Sequence, residues 1–415
     1  MSDRPLAAPS PLPRIDITDP GFKADPFPLY ARLRDESPVH PVELPRFGRA
    51  YLVTRYADVA AGFRDDRLVK NRRTALTAGQ LARGPRLPRA LSALERGLLS
   101  LDGEDHHRLR ALVHQAFTPR RVEEMRDQAE RLADELLDAA LAKAARTGHF
   151  DLVADYALPL PLTLIARILG VPERDGARFR SWTVSLLSLA RGNPLPRIPS
   201  VLLFLRYLRR LVAERTRRPT GDLISALAAA READDRLSAD EVLSMIVLLL
   251  TAGHETTVNL IGTGTLALLR HPDQLARLRD DPALVPTAVE ELVRHVVPAE
   301  TATERYARED LEIAGTLIPR GSLVLLVVAA ANRDPGWFPD PDRLDLARSP
   351  NRHLSFGQGV HYCLGAPLSR LEAGVALPAL LRRVPDLRLA VPEDALRWRG
   401  GMVLRGVESL PVAVR

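Results

Sequence analysis

The 415-residue chain contains one cysteine, Cys363, so neither an intrachain disulfide nor a multi-cysteine metal site can form. A lone cysteine is most often a small, inert, buried hydrophobe. Cys363 stands in a different context, the run Phe356-Gly357-Gln358-Gly359-Val360-His361-Tyr362-Cys363-Leu364-Gly365, followed by Pro367 and a helical pattern that continues to Leu381. Two glycines allow the backbone to turn tightly and to approach a flat ligand. A sulfur just ahead of a helix start gains thiolate character from the helix dipole. Gly357-x-Gly359 lacks the third glycine and the βαβ setting of a dinucleotide fingerprint.

A second stretch, Ala252-Gly253-His254-Glu255-Thr256-Thr257, breaks an apolar run at 246–250. His254-Glu255 begins like a zinc-protease motif, but position 258 is valine, so that metal reading fails. On the residues alone, Thr256 can bond its hydroxyl to the Ala252 carbonyl one turn back and bend the helix without any catalytic role. Glu291 and Arg294 have the i, i+3 spacing of an ordinary surface ion pair. His106 and Arg110, at i and i+4, share a helix face.

The elements that must hold these residues are mostly helical. Hydrophobic residues make up 46% of the chain and charged ones 27%, a balance that buries a large core and excludes disorder as the main state. Apolar residues recur at three- and four-residue spacing over 105–117, 121–145, 160–169, 176–191, 201–218 and 223–231, with prolines between. Ser238 and Glu241 form a capping box ahead of an apolar pattern that reaches Leu269, a helix of ~45 Å at 1.5 Å per residue. Another helix covers 285–295, and extended pieces fall at 50–53, whose β-branched and aromatic content suits an edge sheet, 311–313 and 322–328. The fold class is therefore mainly α with a smaller, segregated β region. One domain is expected over 25–415 behind a flexible segment 1–24. The net charge of +6 comes from 58 basic residues of which three are lysine, leaving 55 arginines spread along the chain. No nucleic-acid motif accompanies them, so nucleic acid is not an expected partner. The longest wholly apolar run, 323–331, is too short to cross a bilayer, and a soluble, cytoplasmic protein is expected.

Together these motifs resemble the cytochrome P450 family. Its haem-binding loop, Phe-Gly-x-Gly-x-x-x-Cys-x-Gly, is matched by Phe356, Gly357, Gly359, Cys363 and Gly365, and its oxygen-activation motif, Ala-Gly-x-Asp/Glu-Thr, by Ala252, Gly253, Glu255 and Thr256. The resemblance runs from about Asp25 to the carboxyl end. It implies one triangular haem-binding domain with a long central helix. It further implies that Cys363 is the axial ligand of haem b iron, its thiolate favouring O–O cleavage, with backbone neighbours tuning the potential. Gly253 would open a groove beside the iron. Thr256 would hydrogen-bond bound dioxygen, and Glu255 would help relay protons to the distal oxygen. Glu291 and Arg294, with Arg343 after Phe338-Pro339-Asp340-Pro341-Asp342, resemble the family's Glu-x-x-Arg motif and second arginine, a structural triad; Leu344 stands where phenylalanine is common. His106, Arg110, Arg305 and His361 match the usual contacts of the two haem propionates, carboxylates that are costly to bury unpaired.

By family position the substrate pocket is lined by Leu248, Leu249, Ala252, Val297, Ala299, Thr301, Met402 and Val403, together with the stretches 69–99 and 185–204. Most are apolar, which implies a hydrophobic substrate such as a macrolide, terpenoid, steroid or fatty acid. Arg72, Arg73, Arg83, Arg86 and Arg89 read first as solvated loop charge; gripping a substrate carboxylate or an acidic carrier protein is the sharper expectation. Electrons would come from NAD(P)H through a separate ferredoxin or flavodoxin and its reductase, with Arg108, Arg120, Arg121 and Arg370 as a basic docking face. Three functions are open. The first is a monooxygenase that inserts one atom of O2, most simply by hydroxylation. The second is a peroxygenase driven by hydrogen peroxide, against which the Glu255-Thr256 pair counts. The third is a haem-binding protein without turnover, disfavoured by the intact oxygen motif.

Overall fold

The capping box at the start of the longest helix is present in both directions. Ser238 Oγ accepts from the Glu241 N–H at 3.1 Å and Glu241 Oε2 from the Ser238 N–H at 2.7 Å, and the helix runs Ala239–Arg270. The computed structural model describes residues 15–44, 48–83, 97–114, 117–187, 195–232 and 238–414. The central helix is apolar nearly all round, the mark of a helix buried in a large core. Its segment Asp240–Arg270 is long and apolar enough to cross a membrane by length and composition, yet 67% of its most apolar window is buried inside the protein. It is a core helix.

Against it pack the helices Pro159–Ile168, Ile198–Arg217, Leu223–Glu232, Val285–Val296 and Ala366–Arg383, and on these in turn pack Arg126–Thr147 and Gly176–Leu187, close to the periodic segments of the sequence. Leu132, Leu137, Leu164, Ile165, Leu208, Ile246, Leu292 and Leu380 belong to one continuous apolar cluster among them.

The described strands are β1 (Val39–Leu44), β2 (Gly48–Val53), β3 (Leu68–Val69), β4 (His149–Asp151), β5 (Arg305–Ala307), β6 (Leu311–Ile313), β7 (Thr316–Ile318), β8 (Leu323–Leu326), β9 (Arg388–Leu389) and β10 (Pro411–Ala413). The main sheet has the order β1-β2-β8-β5-β3; β4-β10-β9 and β6-β7 form two small ones. The extended segment 50–53 lies inside this sheet, parallel to β8 with Tyr51 opposite Val324. Leu52, Val53, Leu325 and Leu326 are fully buried there, so the short apolar run marks a strand covered on both faces.

This sheet carries a second apolar cluster that includes Ile15 and Ile17. Residues 1–14 of the segment expected to lie outside the domain are not among the described residues. Residues 15–24 pack on the domain: Lys23 is fully buried in a 2.9 Å ion pair with Glu300, and Tyr30 donates to the other oxygen of the same carboxylate. The expected boundary at Asp25 is therefore too late, because a polar, proline-rich composition conceals two isoleucine anchors.

Candidate active site

The loop before Cys363 is shaped by two left-handed glycines, Gly357 (φ +69°) and Gly359 (φ +71°). A Cβ on Gly357 would lie 3.3 Å from the Phe63 ring, and one on Gly359 3.2 Å from the Phe63 carbonyl oxygen, so conformation and space both demand glycine. The Cys363 N–H donates to the Phe356 carbonyl at 2.8 Å and closes the loop. The sulfur sits just ahead of the helix Ala366–Arg383, and the N–H groups of Gly365 and Ala366 donate toward it. Cys363 is accessible, yet protein crowds it closely enough that burial pushes the thiol up, against the pull of those N–H groups, Arg110 and Arg370.

The central helix turns one accessible stripe outward from an otherwise buried cylinder. Ala252 is exposed, with Leu248, Leu249, Glu255 and Thr256 half-buried around it, positions that share a face at 3.6 residues per turn. Thr256 Oγ1 donates to the Ala252 carbonyl at 3.0 Å, the local bond its position allows, which leaves the oxygen lone pairs able to accept. A Cβ on Gly253 would have only Ile165 Cδ1 within 4.0 Å, so protein packing does not require glycine there. One turn on from Gly253, Thr257 Oγ1 donates to Ser369 Oγ at 3.3 Å, fixing the central helix against the helix that follows Cys363.

Beside the cysteine loop lies a group of buried bases. His106 is fully buried, its ring 4.1 Å from that of His361. Both His106 nitrogens, His361 Nδ1 and Arg305 Nε are buried without a hydrogen-bond partner. Arg305 donates to the Leu68 carbonyl at 3.1 Å, and Arg110 reaches the Tyr362 carbonyl at 2.6 Å. Burial, with the nearby charges of His361 and Arg110, holds His106 down at about 4. Burial likewise lowers His361, which Asp102 opposes from 3.7 Å, and brings Arg305 down to about 10. Lys70, which sequence reasoning missed, belongs to the same group: burial and Arg305 push it down to about 7. Its one available signal was rarity, as one of three lysines in the chain.

Comparison with known proteins decides the family. The cytochrome P450 family model matches residues 204–385. The polyketide biosynthesis cytochrome P450 PksS of Bacillus subtilis is 41% identical over 95% of this chain and 96% of its own. The cytochrome P450 monooxygenase PikC of Streptomyces venezuelae is 44% identical over 95% and 92%. The solved PksS structure superposes with a TM-score of 0.88 at 39% identity, covering 96% of this chain and 99% of that one. P450BioI, solved in complex with hexadec-9Z-enoic acid ligated acyl carrier protein, superposes at 0.82 with 36% identity over 95% and 99%. The chain belongs to the cytochrome P450 family.

This P450 is accordingly a monooxygenase of haem b and O2 that takes NAD(P)H-derived electrons through redox partners. Its residues fit that cofactor. Cys363 offers a sulfur with backbone donors around it, the glycine loop allows close approach, and the partnerless bases beside the loop call for buried anions, which the haem propionates are. Glu291 and Arg294 are not a surface pair but fully buried, joined at 2.7 and 2.8 Å. The second arginine of their triad is Arg348, whose Nε lies 3.1 Å from Glu291 Oε1. Arg343 is exposed and contributes only its carbonyl, 3.2 Å from Arg294 Nη2. The loop after Phe338 doubles back through turns at Asp340 and Asp345, carrying Arg348 inward and the expected Arg343 out.

Among the residues expected to line the substrate pocket, Leu248, Leu249, Ala252, Ala299, Met402 and Val403 keep accessible surface, but Val297 and Thr301 are fully buried. Val297, left-handed at φ +44°, packs into the sheet-side core, and Thr301 donates its hydroxyl to the Met402 carbonyl at 3.0 Å. Neither lines an open space. Arg72 lies over the Tyr306 ring at 5.6 Å and Arg73 is exposed; Arg86, Arg89 and residues 188–194 are outside the described residues. Two of the expected docking arginines are already engaged. Arg108 pairs with Glu241 at 2.9 Å, and Arg370 holds Glu290 at 2.7 and 2.9 Å while stacking on Phe356.

Proposed function

We propose that this P450 hydroxylates a hydrophobic small molecule, with Cys363 as the iron ligand and Thr256 and Glu255 as its proton-handling pair. The carrying observation is the accessible stripe of the central helix. Apolar Leu248, Leu249 and Ala252 adjoin the hydroxyl of Thr256 and the carboxyl of Glu255 on one face, the arrangement needed to bind an apolar molecule and deliver protons beside it. Haem, when bound, supplies dioxygen activation. The chain's own residues do the rest: backbone N–H groups steady the sulfur, Thr256 holds a proton at Oγ1, Glu255 replenishes it, and the apolar face excludes water. His106, Arg110, Arg305 and His361 hold the propionates.

The names of PksS and PikC place related enzymes in polyketide biosynthesis and monooxygenation, which supports a macrolide-like substrate ahead of a terpenoid, steroid or fatty acid. Electrons reach the site from a separate ferredoxin or flavodoxin, in the cytoplasm where NAD(P)H is supplied. A carrier-bound acyl chain is the second reading, favoured by exposed Arg73 and by the carrier complex of P450BioI.

The test is the ferrous carbon monoxide difference spectrum of the purified protein, followed by NADPH-driven turnover with added ferredoxin and reductase. A strongly red-shifted Soret band and NADPH-dependent product formation are expected. An ordinary haem band would remove Cys363 as ligand, and product formed only with hydrogen peroxide would make the enzyme a peroxygenase.

A further inference from the structure

Lys70 is a buried amine that makes no ion pair among the described residues. It is 5% exposed, and its ammonium donates to the carbonyl oxygen of Thr303 at 2.8 Å and to the Thr303 hydroxyl. Both acceptors are neutral. Two carboxylates, Glu304 and Asp102, lie near enough to favour its charge without pairing with it, and Asp102 is engaged from another side: its oxygens accept the backbone N–H groups of Lys70 at 3.0 and 2.9 Å and of Asn71 at 2.8 Å. Arg305 is 3% exposed and likewise bonded only to carbonyls, of Leu68 at 3.1 Å and Phe63 at 3.5 Å. His106, with both ring nitrogens bare, and His361, with its Nδ1 bare, complete the group.

A charge taken out of water costs several kcal/mol unless it is paired. Two such cations side by side cost more, because each also disfavours the other. Neutral oxygens steady an ammonium but do not cancel its charge. An ammonium has three donors and Thr303 accepts two, so one N–H remains for an anion. Among the described residues no carboxylate closes on that N–H, so a partner for it must carry negative charge and reach the pocket beside Arg305. A carboxylate-bearing cofactor beside the cysteine loop meets both conditions.

We propose that Lys70 is a haem-binding residue, its ammonium held in place by Thr303 so that it adds its charge to that of Arg305 and His361 on the propionates. The assignment rests on the haem-thiolate reading above. The competing role is a strut: Lys70 joins the end of β3 to the turn before β5, and the two hydrogen bonds to Thr303 would do that without any cofactor.

Charge and strut separate in the purified holoenzyme. Lys70→Gln keeps a donor for Thr303 but removes the charge, and Lys70→Met removes both. Two quantities are read: the rate of haem transfer to excess apomyoglobin, and the ferric/ferrous midpoint potential. Both variants are expected to lose haem about tenfold faster or more, the value of one charged hydrogen bond. Both should show a lower midpoint, since a cation near the iron favours the reduced state, and Lys70→Arg should restore most of each loss. A Gln variant that matches the wild type in transfer rate and potential overturns the proposal and leaves Lys70 as a strut. A wild-type protein that lacks the red-shifted carbon monoxide band fails earlier, at the haem-thiolate reading, and withdraws the assignment with it.

Discussion

Arg294 and Arg343 look equally basic in the sequence, yet one is fully buried against Glu291 and the other is exposed. Removing one partner of a buried, hydrogen-bonded pair leaves an uncompensated charge, so Arg294→Ala should destabilise the fold by about 3–5 kcal/mol. Arg343→Ala should stay within about 0.5 kcal/mol of the wild type. Urea midpoints read both, and a large loss at Arg343 would contradict the assignment of Arg348 to the triad. The motif made Glu291 and Arg294 legible, because i, i+3 spacing is fixed by the helix. The third member sits in a loop, where no period tells which arginine turns inward. At the oxygen motif, Thr256→Ala should retain haem but divert electrons to hydrogen peroxide, measured as peroxide formed per NADPH consumed. A fully coupled variant would remove Thr256 from the proton relay, leaving its bond to Ala252 as a local helix feature.

At the scale of elements, the helix Ala366–Arg383 brings Glu372 fully inside the protein, beside Thr257 of the central helix. Burial pushes this carboxyl up to about 8, with Thr257 pulling weakly the other way, whereas an unfolded glutamate titrates near about 4.3. Between those values the folded chain keeps a proton that the unfolded chain has released, so stability falls as pH rises. The slope contributed is at most about 1.4 kcal/mol per pH unit. Glu372→Gln removes it: relative to the wild type, the variant should gain stability between pH 5 and pH 8 in urea titrations, and parallel curves would refute the buried acid. Sequence periodicity revealed this helix as far as Leu381 but not the acid at its core, since a single glutamate in an apolar stripe does not disclose which neighbours enclose it. The capping box of the central helix was legible for the opposite reason, as both of its partners lie within four residues of each other. Only the structure adds that Glu241 also takes Arg108, which ties the helix Gly103–His114, with its His106 and Arg110, to the start of the central helix.

For the whole molecule, composition and helical period conveyed the fold class, and the ordered motifs conveyed the family. Where charge is free to act was not legible, because pairing depends on contacts far apart in the chain. Of the four arginines expected to meet a redox partner, Arg108 and Arg370 are committed to Glu241 and Glu290. Arg120 and Arg121 remain outward on the short helix Pro119–Glu123, Arg120 making only an exposed pair with Glu124. That short helix packs against Ala366–Arg383, the helix that begins behind Cys363, so its charges accompany the cysteine loop, with its exposed Val360 and Tyr362. Long-range attraction to an acidic ferredoxin should therefore run through Arg120 and Arg121. Reversing both to glutamate should slow the first electron transfer by about tenfold at low ionic strength, and the difference should shrink at ~0.5 M salt, where the Debye length falls to a few ångströms. Stopped-flow reduction under carbon monoxide reads the rate directly. Arg49→Glu on β2 changes the net charge half as much and lies on a different element; if it slowed reduction in proportion, the effect would belong to the net charge of the molecule and not to a docking face.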